Sequence, residues 1–136
     1  MKKFEFTGET KTISLLFRTA TLHRIRAVAE FGLVKVGDLG GWIEKEENLS
    51  HEGKAWVYGD AKVYGDAEVY GDAEVWGNAE VYGDAKVYGD AEVWGNAKVY
   101  GDANIFSASH KIQITSYKNG GSWNGFATRA IFIPVS

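Results

Sequence analysis

The chain has 136 residues, enough for one small domain, with 17 Gly against a single Pro, 45% apolar and 14% aromatic residues, and a net charge of −3. That aromatic content excludes a disordered chain, and the absence of Cys excludes a disulfide framework, a zinc ribbon and a thiol nucleophile. No run approaches the roughly 18 apolar residues of a membrane helix, and MKKFEFTGET lacks the apolar core of a secretion signal, so a soluble cytoplasmic protein with no membrane association is expected.

In chain order, residues 1–54 read as an N-terminal cap with an irregular first coil. KKFEF suggests a strand and Thr12 to Phe17 a second. LHRIRAVAEFG suggests a short helix with Leu22, Ile25, Val28 and Ala29 on one side and Gly32 ending it, which makes the cap a small α+β unit. Val36, Ile43 and Leu49 read as rungs of a degenerate coil. From Ala55 to Phe106 an unbroken six-residue period follows, AWVYGD, AKVYGD, AEVYGD, AEVWGN and so on to ANIF, taking up eight of the glycines. Six residues turn a helix by about 600°, so successive valines would form no helical face. In an extended chain Ala and Val share one side, while Gly-Asp or Gly-Asn supplies a turn. Such short strands bury their Ala/Val side only by coiling and stacking. Residues 107–136, HKIQITSY and SWNGFATRAIFIPV around Lys-Asn-Gly-Gly, read as a β-hairpin-like C-terminal cap.

The small residue two places before an inward aliphatic, as in Ala61 with Val63 and Ala67 with Val69, resembles the hexapeptide-repeat family. That resemblance implies an all-β-dominated left-handed parallel β-helix of triangular section, with three hexapeptides per 18-residue coil and about three regular coils. Trp76 and Trp94, each followed by Gly-Asn, lie one such coil apart. The register stacks Tyr58, Trp76 and Trp94 on a first face, Tyr64, Tyr82 and Tyr100 on a second, and Tyr70, Tyr88 and Phe106 on a third. It also brings Lys62, Glu80 and Lys98 into a ladder of alternating sign, with Glu68 beneath Lys86. The flanks RIRAVAEFG, GDLGGWIEKEENLSHEG and GSWNGFATRA are similar to a narrower group of small repeat proteins, common in phage, prophage and bacterial genomes and some labelled polymer-forming.

The repeat carries three Lys against four Glu and six Asp, so the prism is acidic while its flanks are not. Each corner Asp is expected to cap its own turn; a calcium ladder and DNA mimicry are the alternatives weighed. The family's acyltransferases use a catalytic His, but His23, His51 and His110 all lie outside the regular coils, and no phosphate loop, metal-ligand set or Ser/His/Asp set is present. The sequence therefore reads as a non-enzymatic chain with no cofactor or metal. The outward aromatics point to an interface on the face of Tyr58, Trp76 and Trp94, where Asn78 and Asn96 remove charge. Arg24 and Arg26 are candidates to hold an anion or carboxylate, and Trp123, Asn124 and Arg129 form a further candidate cluster. The functional expectation is a phage-type binding protein, a homo-oligomer (dimer or trimer), sequestering or inhibiting a host defence protein or a small nucleotide signal, with nucleic acid not expected as a partner. A self-assembling structural protein is the first alternative. An acyltransferase-like enzyme using His110 or His51 is the second.

Overall fold

The computed structural model describes residues 2–107. Each hexapeptide makes one rung and one corner. At the corner after Tyr82, Gly83 takes φ +72° while no non-Gly residue has positive φ, the signature of a type II′ turn, and Ala85 N–H donates to Tyr82 O (3.4 Å). A Cβ on Gly83 would stand 2.9 Å from the amide nitrogen of Gly101 in the next coil. Glycine is thus required there both by conformation and by the approach of one coil to the next. The corner carboxylates do not close their own turns as expected. Instead Asp66 meets Lys45 Nζ at 2.7 Å and Asp72 accepts the Lys54 amide at 3.2 Å, because the backbone already supplies the turn bond.

The strands are β1 (Phe4–Ser14), β2 (Thr19–Ala27), β3 (Leu39–Ile43), β4 (Trp56–Val57), β5 (Lys62–Val63), β6 (Glu68–Val69), β7 (Glu74–Val75), β8 (Glu80–Val81), β9 (Lys86–Gly89), β10 (Glu92–Val93), β11 (Lys98–Val99) and β12 (Asn104–Ser107). They form a first sheet β4-β7-β10, a second β1-β2-β3-β5-β8-β11 and a third β6-β9-β12. All pairings within the coils are parallel and place valine over valine, as in Val63, Val81 and Val99, or Ile105 over Val87. Those valines, the alanines two places before them and Ile105 are essentially solvent-free and form one continuous core. The result is a parallel β-solenoid of about four turns, the β-helix that the hexapeptide pattern implies.

The regular coils begin on an irregular one. Ile43 pairs beneath Val63, and Leu49 bridges Val69, so these two expected rungs are present. Each lies twenty residues before its partner instead of eighteen; Ile43 and Leu49 keep the six-residue spacing across the 3-10 turn at Glu46–Asn48, so the extra length falls between Leu49 and Val57. Val36 is not a rung; it is 67% exposed in the loop before β3.

The cap contains no α-helix among the described residues, which corrects the α+β expectation. LHRIRAVAEFG begins as β2, and the stretch from Thr12 belongs to β1, which ends at Ser14 before a turn closed by Leu15 N–H to Arg18 O at 2.7 Å. The error has a physical source. Ala20 and Leu22 face outward into a cluster with Trp42 and Tyr64, whereas Ile25 and Ala27 face inward to the solenoid core. One strand buries opposite sides in its two halves, so its apolar residues fall at spacings that imitate a helix.

The first complete coil leaves carbonyls with no coil beneath to bond them. Trp42 and Glu44 amides reach Ala61 O (3.0 Å) and Val63 O (3.1 Å). Where the chain swings away, side chains replace backbone: buried Asn48 donates from Nδ2 to Gly65 O and Ala67 O, while its Oδ1 accepts the Glu44 and Lys45 amides. Buried Lys3 donates from Nζ to Ala55 O at 2.7 Å. Phe4, Ile25, Val34 and Trp56 then cover the end of the valine core, with Phe31 packed against them. Asn48→Ala would orphan four backbone groups, and we expect a loss of about 3 kcal/mol or more in urea unfolding; a change below about 1 kcal/mol would mean that water replaces the amide.

Candidate functional site

The aromatic faces behave differently from one another. On the second face Tyr64, Tyr82 and Tyr100 stack nearly parallel at 5.0 and 5.2 Å, and on the third Tyr70 and Tyr88 do the same at 5.0 Å, with Phe106 inclined by 27° to Tyr88. The Tyr64 hydroxyl donates to Glu80 at 3.0 Å, and the hairpin of β1 and β2 covers the Tyr64 ring. The first face is less regular: Trp76 meets Tyr58 edge-on at 6.3 Å and Trp94 at 6.1 Å, and Trp76 alone among these described rings is 40% exposed. Trp94 Nε1 is buried with no hydrogen-bond partner among the described residues, and Asn78 donates to Asn96 at 3.5 Å along the adjacent corner. The ladder of Lys62, Glu80 and Lys98 lies in register, with Lys98 Nζ 3.6 Å from Glu80.

Arg24 and Arg26 have partners within the chain. Arg26 binds Glu5 through two nitrogens, at 2.6 and 3.1 Å, and Arg24 donates from Nε to Gly40 O while its guanidinium lies 5.2 Å from the Trp42 ring. Trp123, Asn124, Arg129 and His110 lie outside the described residues.

The irregular coil builds a different kind of surface. Two adjoining clefts of about 270 and 420 Å³ share Glu47, Ser50 and Glu68, with Tyr70 at one end and Glu46 and His51 at the other. His51 is the most constrained of these. Its ring stacks on Phe4 at 4.2 Å and 10°, and its Nδ1 accepts the Lys3 backbone N–H at 3.0 Å. With Nδ1 accepting, the neutral ring carries its proton on Nε2, which stands 3.6 Å from Glu46 Oε2. Ser50 is anchored by its own amide to Val69 O, and its hydroxyl accepts the Glu52 amide. Glu68, on the opposite wall, lies 3.9 Å from Lys86. The groove thus gathers carboxylates, a hydroxyl and an oriented imidazole N–H on one side of the solenoid. Among the described residues, no cluster of His, Cys, Asp or Glu fits a metal ion. Sequence reasoning named His51 but not this setting, since Lys3 and Phe4 reach it across 48 residues of chain. The break in the six-residue period was the only signal.

These features define a hexapeptide-repeat β-helix with a groove on its irregular first coil. No family model matches the chain. Over 62 residues, 43% of this chain, it is 32% identical to an Escherichia coli K12 protein named as the uncharacterized acetyltransferase YdcK, and the match spans 19% of that protein. The likeness supports the broad resemblance and not its narrower phage-borne form. It also overturns the expectation of a non-enzymatic protein. That expectation rested on the absence of His from the regular coils, and a relative named as an acetyltransferase, together with a groove holding His51 just below those coils, removes its basis.

Burial pushes the phenols up: Tyr58 to about 12, with Glu74 and Glu92 adding to the effect, and Tyr64 further, with Glu80 adding. The folded chain therefore keeps these protons where the unfolded chain has lost them. The stability they confer is intact below pH 10 and is lost as pH rises through the folded values. Comparing urea unfolding of the wild type and Tyr64→Phe between pH 8 and 11.5 should show a steeper alkaline loss in the wild type; parallel curves would refute the assignment.

Proposed function

We propose that this chain is an acyl-transfer enzyme, taking an acyl group from an activated thioester and delivering it to an amine or hydroxyl acceptor in the groove of Glu46, Ser50, His51 and Glu68. The observation that carries the reading is the oriented His51 within that groove, in a chain that is similar over 62 residues to a protein named as an acetyltransferase.

The chemistry assigns separate roles. The acceptor heteroatom attacks the thioester carbonyl carbon, the C–S bond breaks, one proton must leave the acceptor and one must reach the departing sulfur. His51 can serve as base only by giving up the Lys3 amide on Nδ1, so Glu46, whose carboxylate is half exposed, takes the acceptor's proton. Glu46 then passes that proton to the departing thiolate, while His51 stays neutral with its Nε2–H facing the carboxylate at 3.6 Å. We expect transfer from acetyl-CoA to at least one member of an amine and hydroxyl panel, with Glu46→Gln and His51→Asn each lowering kcat/KM about 100-fold or more. Absence of transfer across the panel, or full activity in both variants, would refute the reading.

A homo-oligomeric arrangement, dimer or trimer, joined through the first face is the second part of the proposal. It is supported by the 40% exposure of Trp76 beside Trp94 and by the uncharged Asn78 and Asn96 at the corner. Sequestration of a host protein or nucleotide signal would use the same face, and Trp76 is its support too. End-to-end assembly has no support at the N-terminal rim, which Phe4 and Trp56 cover. Light scattering on Trp76→Ala/Trp94→Ala should show a smaller particle than the wild type with an unchanged far-UV spectrum; equal masses would remove the first face as an interface.

A further inference from the structure

Lys3 is 3% exposed and has no ion-pair partner among the described residues. Its Nζ donates to Ala55 O at 2.7 Å and Gly53 O at 3.4 Å and lies 4.7 Å over the Phe31 ring. An ammonium has three donors, so one N–H finds only a π face. A buried cation without a counter-charge is costly, by several kcal/mol in general. Beside it lies a cavity of about 190 Å³ lined by Lys2, Lys3, Ala29, Glu30, Phe31, His51 and Gly53. Glu30 also lines the cavity, with its carboxylate 3.8 Å from Lys35 Nζ. The charged groups facing the cavity are Lys2, Lys3 and Glu30, beside the His51 imidazole, with Asp72 acting on Lys3 from the coil and Glu46 beyond the imidazole.

We propose that this cavity is a binding site for a small oxyanion, a carboxylate or phosphate group, held by the Lys3 ammonium, whose third N–H meets only the Phe31 ring, and by Lys2. Its volume suits a group of that size, and Phe31 and Ala29 give it an apolar side. His51 is the wall common to this basic cavity and the acidic groove, so an anion seated here lies next to the groove on the far side of the imidazole. The inference does not depend on acyl transfer and is read without it.

Burial pushes Lys3 down to about 8, which sets the pH dependence. The occupied site needs the ammonium, so the apparent affinity for acetate should fall about tenfold between pH 7 and pH 9. The experiment is a titration of the ¹⁵N-labelled chain with sodium acetate and, separately, sodium phosphate, against sodium chloride at equal ionic strength, following the amides of Lys3, Gly53 and His51. Saturable shifts confined to these amides support the proposal, with acetate or phosphate alone selecting the carboxylate or the phosphate. Lys3→Met should weaken binding at least tenfold and Lys2→Ala several-fold. Shifts that stay linear and match chloride, or that persist unchanged in both variants, would overturn it. If Lys3→Met does not fold, the acetate series decides: equal affinity at pH 7 and pH 9 sinks the proposal.

Discussion

A stacked coil satisfies its backbone only through the coils on either side of it, and everything distinctive in this molecule follows from what happens where a neighbour is missing. Inside the solenoid the arrangement is self-consistent: Lys62, Tyr64 and Asp66 donate to Ala79, Val81 and Gly83 of the next coil, and the same geometry recurs eighteen residues later. At the N-terminal rim the carbonyls of Gly53, Ala55, Gly65 and Ala67 are met by side chains in place of such backbone partners. Leaving buried carbonyls unpaired costs as much as the hydrogen bonds elsewhere contribute. The chain meets that demand with an imperfect coil, a buried amide at Asn48 and a buried ammonium at Lys3.

The same demand explains where chemistry can reside. A regular coil repeats one residue type at one translation of about 4.8 Å, so its outer surface offers ladders, such as the tyrosine stacks or Lys62, Glu80 and Lys98. Ladders stabilise their sheet through cross-strand pairs but do not bring unlike groups to converge on a point. Convergence needs a break in the period. The two additional residues between Ile43 and Val63, and between Leu49 and Val69, supply one, and there His51, Glu46, Ser50 and Glu68 come together. The imidazole, carboxylates and hydroxyl lie where the repeat is least perfect.

Legibility in the sequence divides along the same line. The coil register could be read from Trp76 and Trp94 alone, because a strict repeat makes every residue's neighbour computable from its number, and Val63 does sit beneath Val81. The rungs at Ile43 and Leu49 were legible for the same reason, as aliphatic residues near the extrapolated positions. The cap was not legible. β2 switches its buried side between Leu22 and Ile25, and a single-strand pattern of alternation cannot announce that two different bodies pack on its two faces. The groove was invisible for a further reason. The contacts that give His51 its orientation come from Lys3 and Phe4, and nothing periodic relates those positions.

That dependence of His51 on the first strand ties stability to function. The Lys3 amide holds Nδ1, the Lys3 ammonium closes the coil at Ala55, and the Phe4 ring both stacks on the imidazole and meets Trp56, the plug of the valine core. Two consecutive residues thus complete the hydrogen bonding of the rim, seal its apolar core and set the tautomer of the groove's imidazole. The strand enters from outside the repeat, pairs antiparallel to β2, and meets the coils through this small set of contacts and through Ile13 and Lys11 against the cluster of Trp42 and Tyr64. Such a strand opens more readily than the interior of a four-turn coil, where each rung is held from both sides. Opening of this strand would therefore release His51 from its tautomer while leaving the coils folded, which makes the geometry of the groove a property of the cap rather than of the repeat.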